Sequence, residues 1–145
     1  MNPQLAVLLV EDDHLDIKAV KRAFTETKIM NPLVCCTNGK EALDYLRKSG
    51  HDSDAEPPKA VGLIMLDLDM PIMGGIEFLR EYRADHSICH PPVVVLTTSR
   101  QEEEKLESYR LGIAGYIVKP VEFSGFVDAV KRVDLYWSLC ELPRV

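Results

Sequence analysis

The stretch Val61-Gly62-Leu63-Ile64-Met65-Leu66-Asp67, running on through Leu68-Asp69-Met70-Pro71-Ile72-Met73-Gly74-Gly75, decides how the chain is read. Residues 61–66 are apolar throughout and do not alternate with polar residues. That is the pattern of a strand covered on both faces, as in a parallel sheet with helices above and below. The strand ends on a carboxylate, Asp67, and Pro71 and Gly74-Gly75 punctuate the loop after it.

The same grammar repeats on either side. Upstream, Leu5 to Val10 is an apolar run of strand length, followed by Asp12 and Asp13 as helix N-cap candidates and by Ile17, Val20, Ala23 and Phe24 at helical spacing. Asn31-Pro32 breaks the chain, and Leu33 to Thr37 reads as a strand, with Cys35 and Cys36 as small core residues. Asn38-Gly39 is a turn, and 41–48 is a helix with Ala42, Leu43 and Leu46 on one face. Residues 49–59 form a polar loop. Downstream, Ile76, Leu79 and Tyr82 mark a helix, Val93 to Leu96 a strand after Pro91-Pro92, and Gln101 to Leu111 a charged helix with Gly112 at its C-terminus. Gly115 to Val118 is a short strand. The last helix starts at about residue 122 and carries Phe123, Phe126, Val127, Val130, Val133 and Trp137 on one stripe before a short tail. Five strands alternating with five helices predict an α/β fold: a five-stranded parallel sheet with right-handed crossovers, in one domain spanning 1–145.

Bulk properties exclude several classes. At 145 residues with 46% apolar and 28% charged residues, the chain can bury a core and is not compositionally disordered. No apolar run approaches the roughly 20 residues of a membrane span. No signal peptide is evident, so a cytoplasmic location is expected. The net charge of −6, without a basic run, disfavours nucleic acid and anionic membranes as partners. The four cysteines form neither a Cys-x-x-Cys pair nor a disulfide framework, and 86–90, despite His86, Cys89 and His90, reads as a surface loop rather than a zinc site.

Ligands bind such sheets beyond the carboxyl ends of the strands. Glu11, Asp12 and Asp13 follow the first strand, Asp67 ends the third, Thr97, Thr98 and Ser99 close the fourth, and Lys119-Pro120 follows the fifth. One sheet edge thus gathers carboxylates, hydroxyls and an ammonium. Clustered acids repel unless protons or a cation intervene. Mg²⁺ is the economical counter-ion, because it takes few carboxylates and keeps positions open for water and phosphate oxygens. A metal, a carboxylate, a hydroxyl and a lysine together suit phosphoryl transfer.

These residues also resemble a known family. Leu8-Leu9-Val10-Glu11-Asp12-Asp13, Asn38 to Leu43, Leu66 to Gly75, Val95-Leu96-Thr97-Thr98 and Gly115 to Pro120 are similar to the motifs of response-regulator receiver domains in two-component signalling. The resemblance covers nearly the whole chain. It implies a flavodoxin-like fold with strand order 2-1-3-4-5. It implies that Asp67 accepts a phosphoryl group from a phosphohistidine on a sensor histidine kinase. Glu11 and Asp12, with Asp67 and the backbone carbonyl of Asp69, would hold Mg²⁺. Thr97, with Thr98 beside it, and Lys119 would bind the phosphoryl oxygens, and Tyr116 would be the aromatic switch. Pro120 resembles the family's proline, often preceded by a cis bond. Gly74 departs from the pattern, standing where many relatives carry Asp.

By the same resemblance the protein would not be an enzyme in the ordinary sense, since it would promote only its own phosphorylation and dephosphorylation. With no length for a DNA-binding output domain, a downstream protein target or phosphoryl relay is expected. The long loop before the third strand, the run Thr97-Thr98-Ser99 and the aromatic end Tyr136-Trp137 are similar to small regulators that partner bacteriophytochromes. The apolar C-terminal face offers a homodimer contact. Two alternatives remain. Asp67-Leu68-Asp69 resembles the Asp-x-Asp of haloacid-dehalogenase-like phosphatases, although Met70-Pro71-Ile72 does not fit. A degenerate receiver used as a binding module is the other.

Overall fold

A computed structural model describes residues 5–26, 29–48, 60–97, 112–119 and 125. In chain order the elements are β1 (Ala6–Val10), α1 (His14–Glu26), β2 (Leu33–Cys36), α2 (Gly39–Lys48), β3 (Val61–Asp67), α3 (Gly75–Ala84), β4 (Val93–Thr97) and β5 (Gly115–Val118). The strands form one parallel sheet in the order β2-β1-β3-β4-β5. The chain steps one way from β1 to β2 and then the other way to β3, β4 and β5. The strand order therefore reverses beside β1 and β3, where sheets of this kind open a crevice at their carboxyl ends.

The central strands alternate between two cores, one on each face. Val7, Leu9, Leu63, Met65 and Leu96 pack with Val20, Ala23 and Phe24 of α1. Leu8, Val10, Ile64, Leu66 and Val95 pack with Leu43 and Leu46 of α2 and Phe78, Leu79 and Tyr82 of α3. The register Leu8↔Ile64 and Val10↔Leu66 places like faces side by side. Every residue of β1 is buried, as a two-sided strand requires.

Helix starts follow their caps. Asp13, not Asp12, caps α1: its Oδ1 accepts from the Leu15 N–H at 2.8 Å and the Asp16 N–H at 3.3 Å. Asn38, expected only as a turn residue, is the buried cap of α2, accepting from the Glu41 N–H at 3.0 Å. The Glu41 carboxylate in turn accepts from the Thr37 N–H at 3.1 Å and the Thr37 hydroxyl at 2.9 Å, tying the residue before the cap to the first turn. At α3 the backbone comes close to β3. A Cβ on Gly75 would lie 2.6 Å from the Asp67 carbonyl oxygen and 2.7 Å from the Leu68 Cα, so only glycine fits.

One core assignment is corrected. Cys36 is buried but Cys35 is exposed. β2 is an edge strand, and Cys35 points to the face opposite Cys36, with no further strand outside it to add cover. The surface loop expected at 86–90 is borne out, with Cys89 and His90 exposed. Gly112 has the left-handed φ of +65° expected of a C-cap, but the helix it would close, 101–111, lies outside the described residues. So do the polar loop 49–59, Thr98, Ser99, Pro120 and the helix and aromatic end from about 122. The described residues hold three of the five expected helices.

Candidate functional site

Three strands deliver charge to one rim. Glu11 leaves β1 still in sheet geometry, its N–H donating to the Cys36 carbonyl at 2.9 Å, which leaves the side chain fully buried. Asp67 is the last residue of β3 and is also buried. Lys119 follows β5 with its side chain 11% exposed. Its ammonium lies 2.8 Å from Glu11 Oε2, 2.8 Å from Asp16 Oδ2 and 3.1 Å from Asp67 Oδ1. It donates a hydrogen bond to Asp67. The contact with Glu11 is one of charge without hydrogen-bond alignment, so Glu11 Oε2 is buried and lacks a hydrogen bond. Glu11 Oε1 accepts from the Asp13 N–H at 3.1 Å.

Burial dominates the electrostatics. Desolvation pushes Glu11 up to about 7, against the lowering effect of Lys119 and the Asp13 N–H. Asp67 is also raised by burial, which outweighs its hydrogen bonds to Lys119 and the Asp69 N–H. Burial would lower Lys119, but the carboxylates of Asp16, Glu11 and Asp67 around it reverse this and hold the ammonium firmly protonated. One ammonium does not neutralise the rim. An open cleft of about 660 Å³ is lined by six carboxylates (Glu11, Asp12, Asp13, Asp16, Asp67 and Asp69) and by Lys119.

The residues present fit a hard divalent cation. Glu11, Asp12 and Asp67 each bring a carboxylate oxygen to within 4.8 Å of the others. All are oxygen donors, one acid oxygen is buried without a hydrogen bond, and Asp12 stands exposed on the open side where water can complete the shell.

Sequence reasoning brought Glu11, Asp12, Asp67, Asp69 and Lys119 together, and they meet here. Tyr116, paired with Val95 in the sheet, is half-buried against the core under α2 and α3. Thr97 ends β4 opposite Val118, which puts its backbone at the same sheet edge. Thr98 lies outside the described residues. Asp16 was missed. Its only sequence signal is its place in the first turn of a helix that opens at the rim, and nothing local ties it to Lys119.

The response regulator receiver domain family matches residues 7–131. The response regulator Rcp1 of Synechocystis sp. is 31% identical over 136 residues, covering 94% of this chain and 90% of Rcp1. Among solved structures, the bacteriophytochrome response regulator RtBRR is 34% identical with a TM-score of 0.78, covering 97% of this chain and 84% of its own. The phosphorylated cyanobacterial phytochrome response regulator RcpA is 34% identical with a TM-score of 0.70, covering 94% and 96%. A response regulator Rcp1 solved in its Mn²⁺-bound form is 29% identical with a TM-score of 0.65, covering 97% of each chain. Among the described residues, no helix is long and apolar enough to cross a membrane.

Proposed function

The chain belongs to the response regulator receiver domain family, and from that premise we propose that it is a phosphorelay regulator that takes a phosphoryl group onto Asp67 with the help of Mg²⁺. Receivers of this family are signalling proteins, so the output is a changed protein surface rather than a released product. The family match also decides against the phosphatase alternative. The single observation that carries the reading is the meeting of Asp67 and Glu11 within 3.1 Å of the Lys119 ammonium, beside a cation-sized acid cluster. A degenerate receiver would not be expected to keep that set complete.

In the proposed step, a carboxylate oxygen of Asp67 attacks phosphorus as the P–O or P–N bond to the donor breaks, and the leaving group keeps that electron pair. Glu11, Asp12 and Asp67, with the Asp69 carbonyl, would hold the cation. When bound, the cation offsets charge on the phosphoryl oxygens. Lys119 would move part of its hydrogen bonding from Asp67 to a phosphoryl oxygen, and Thr97, with Thr98, would take another. The acyl phosphate replaces the Asp67 carboxylate with a group of roughly −1.5 to −2 charges and three acceptor oxygens, which shifts the population between two arrangements of the β4 end and Tyr116.

The similarity to RtBRR and RcpA supports a phytochrome-type histidine kinase as the donor. The test is incubation with Mg²⁺ and acetyl phosphate, followed by intact mass measurement. One phosphoryl group is expected on the wild type and none on Asp67→Asn; equal labelling of the two would end the assignment. Phosphotransfer from a panel of the host's kinases tests the partner, and a phytochrome-type kinase that transfers no faster than the others would remove it.

A further inference from the structure

Asp16 has no part in the receiver roles assigned above, yet it makes one of the two shortest contacts to the rim's lysine. An ammonium carries three donors, and Lys119 meets three carboxylates, with Glu11 and Asp16 at 2.8 Å and Asp67 at 3.1 Å. The longest contact is to the residue that would be modified. Asp16 also differs from the other two in setting. It stands in the first turn of α1, its N–H tied to the capping Asp13, and its side chain is 21% exposed where Glu11's is fully enclosed. A phosphoryl group on Asp67 needs a donor from the same ammonium, which in the resting arrangement three carboxylates already crowd.

We propose that Asp16 is a positioning residue that competes with the phosphoryl group for Lys119, holding the ammonium toward α1 at rest and releasing it when Asp67 is modified. This rests on the receiver reading above. Asp16 is suited to the release because its carboxylate can turn to water, whereas Glu11 has no such exit. Asp16 is also one of the three acids that keep Lys119 charged. The role therefore acts through Lys119 and not through contact with the phosphoryl group.

A plain field effect makes a similar first-order forecast, since removing any carboxylate from this acidic cleft helps an anion bind. The two are separated by a double-mutant cycle. The full chain is titrated with fluoroberyllate, an unreactive phosphoryl analogue, in Mg²⁺ by calorimetry. The variants are wild type, Asp16→Asn, Asp16→Glu, Lys119→Ala and the Asp16→Asn/Lys119→Ala pair, with Asp67→Asn as control and thermal melts to confirm folding. Asp16→Asn is expected to bind roughly two- to fivefold more tightly, the scale of one partly exposed ion pair. Asp16→Glu should return to wild type, and the gain should vanish in the Lys119→Ala background. With acetyl phosphate, Asp16→Asn should lower KM more than it changes kcat.

Wild-type affinity in Asp16→Asn, or a gain that persists without Lys119, would overturn the proposal. If wild type and Asp67→Asn are equally blind to fluoroberyllate, the receiver reading falls and takes this inference with it. If only Asp67→Asn is blind while Asp16→Asn matches wild type, the receiver reading stands and Asp16 is a bystander.

Discussion

Two pairings of a cation with aspartate, one on the surface and one at the rim, behave in opposite ways. On the surface, Arg47 Nε meets Asp85 Oδ2 at 2.9 Å, with the arginine side chain 46% exposed. The Ser87 hydroxyl donates to Asp85, and with Arg47 and the Ser87 N–H it draws that carboxyl down to about 2. At the rim, Lys119 meets three acids at similar distances, yet Glu11 and Asp67 are raised. Distance alone does not set the sign. At Asp85 desolvation is slight and hydrogen bonding decides, whereas burial at the rim costs more than one shared ammonium returns. The surface pair favours the charged form and so the fold. The rim holds charge the fold does not favour, which is the condition for a site that must bind a cation and an anion.

The contrast can be broken most forcefully by moving Asp67. Gly75→Ala puts a Cβ against the Asp67 carbonyl and the Leu68 Cα, backbone atoms that cannot swing aside. A loss of about 3 kcal/mol in denaturant unfolding is expected, with loss of acetyl phosphate labelling. Unchanged stability would mean that the close approach of α3 to β3 does not hold Asp67 in place.

The sign of the rim charge is tested next by Glu11→Gln in chelator. Glu11 has an ordinary value of 4.5 and sits at about 7 when folded. The folded state therefore binds the extra proton between those values, and wild-type stability should fall as pH rises from 4.5 to 7. At pH 8 the glutamine variant should be more stable than wild type by about 1–3 kcal/mol. The gain should vanish below pH 4.5. A glutamine variant less stable than wild type at pH 8 would refute the reading.

Mg²⁺ should then erase much of that difference. Saturating Mg²⁺ at pH 8 is expected to raise wild-type stability by about 1–3 kcal/mol through mass action, and to raise Glu11→Gln less. Equal shifts in calorimetric melts would place the ion elsewhere.

The smallest effect belongs to the surface. Asp85 has a depressed value, so its contribution is present above the ordinary 3.8 and fades as pH falls toward 2. Asp85→Asn should lower the melting temperature slightly at pH 7 and not at pH 2, the reverse sign to Glu11→Gln. A gain at pH 7 would erase the contrast between the two sites.

Much of this was legible before any coordinates. The run at 61–67 announced a buried strand ending on an acid, and Val20, Ala23 and Phe24 announced the buried stripe of α1, because both depend on short-range periodicity that the core then uses. The rim was legible because parallel strands deliver their last residues to one edge. Cys35 was misread because β2 is an edge strand, and how far a helix covers such a strand is a matter of packing rather than pattern. Asn38 was read as a turn because cap and turn chemistry share the same residues. Asp16 was invisible because its partner is supplied by the far end of the sheet.

Lys119 stands just after β5, the last strand in chain order and the outer edge of the sheet next to β4. A ribosome makes Glu11, Asp12 and Asp67 before it makes their ammonium. While the nascent chain ends at β3, the acids lack the ammonium that meets them in the finished fold, and a free cellular cation can stand in for it. Divalent ion supply during synthesis would then favour early docking of β1 and β3, a role for the ion that ends when the lysine arrives.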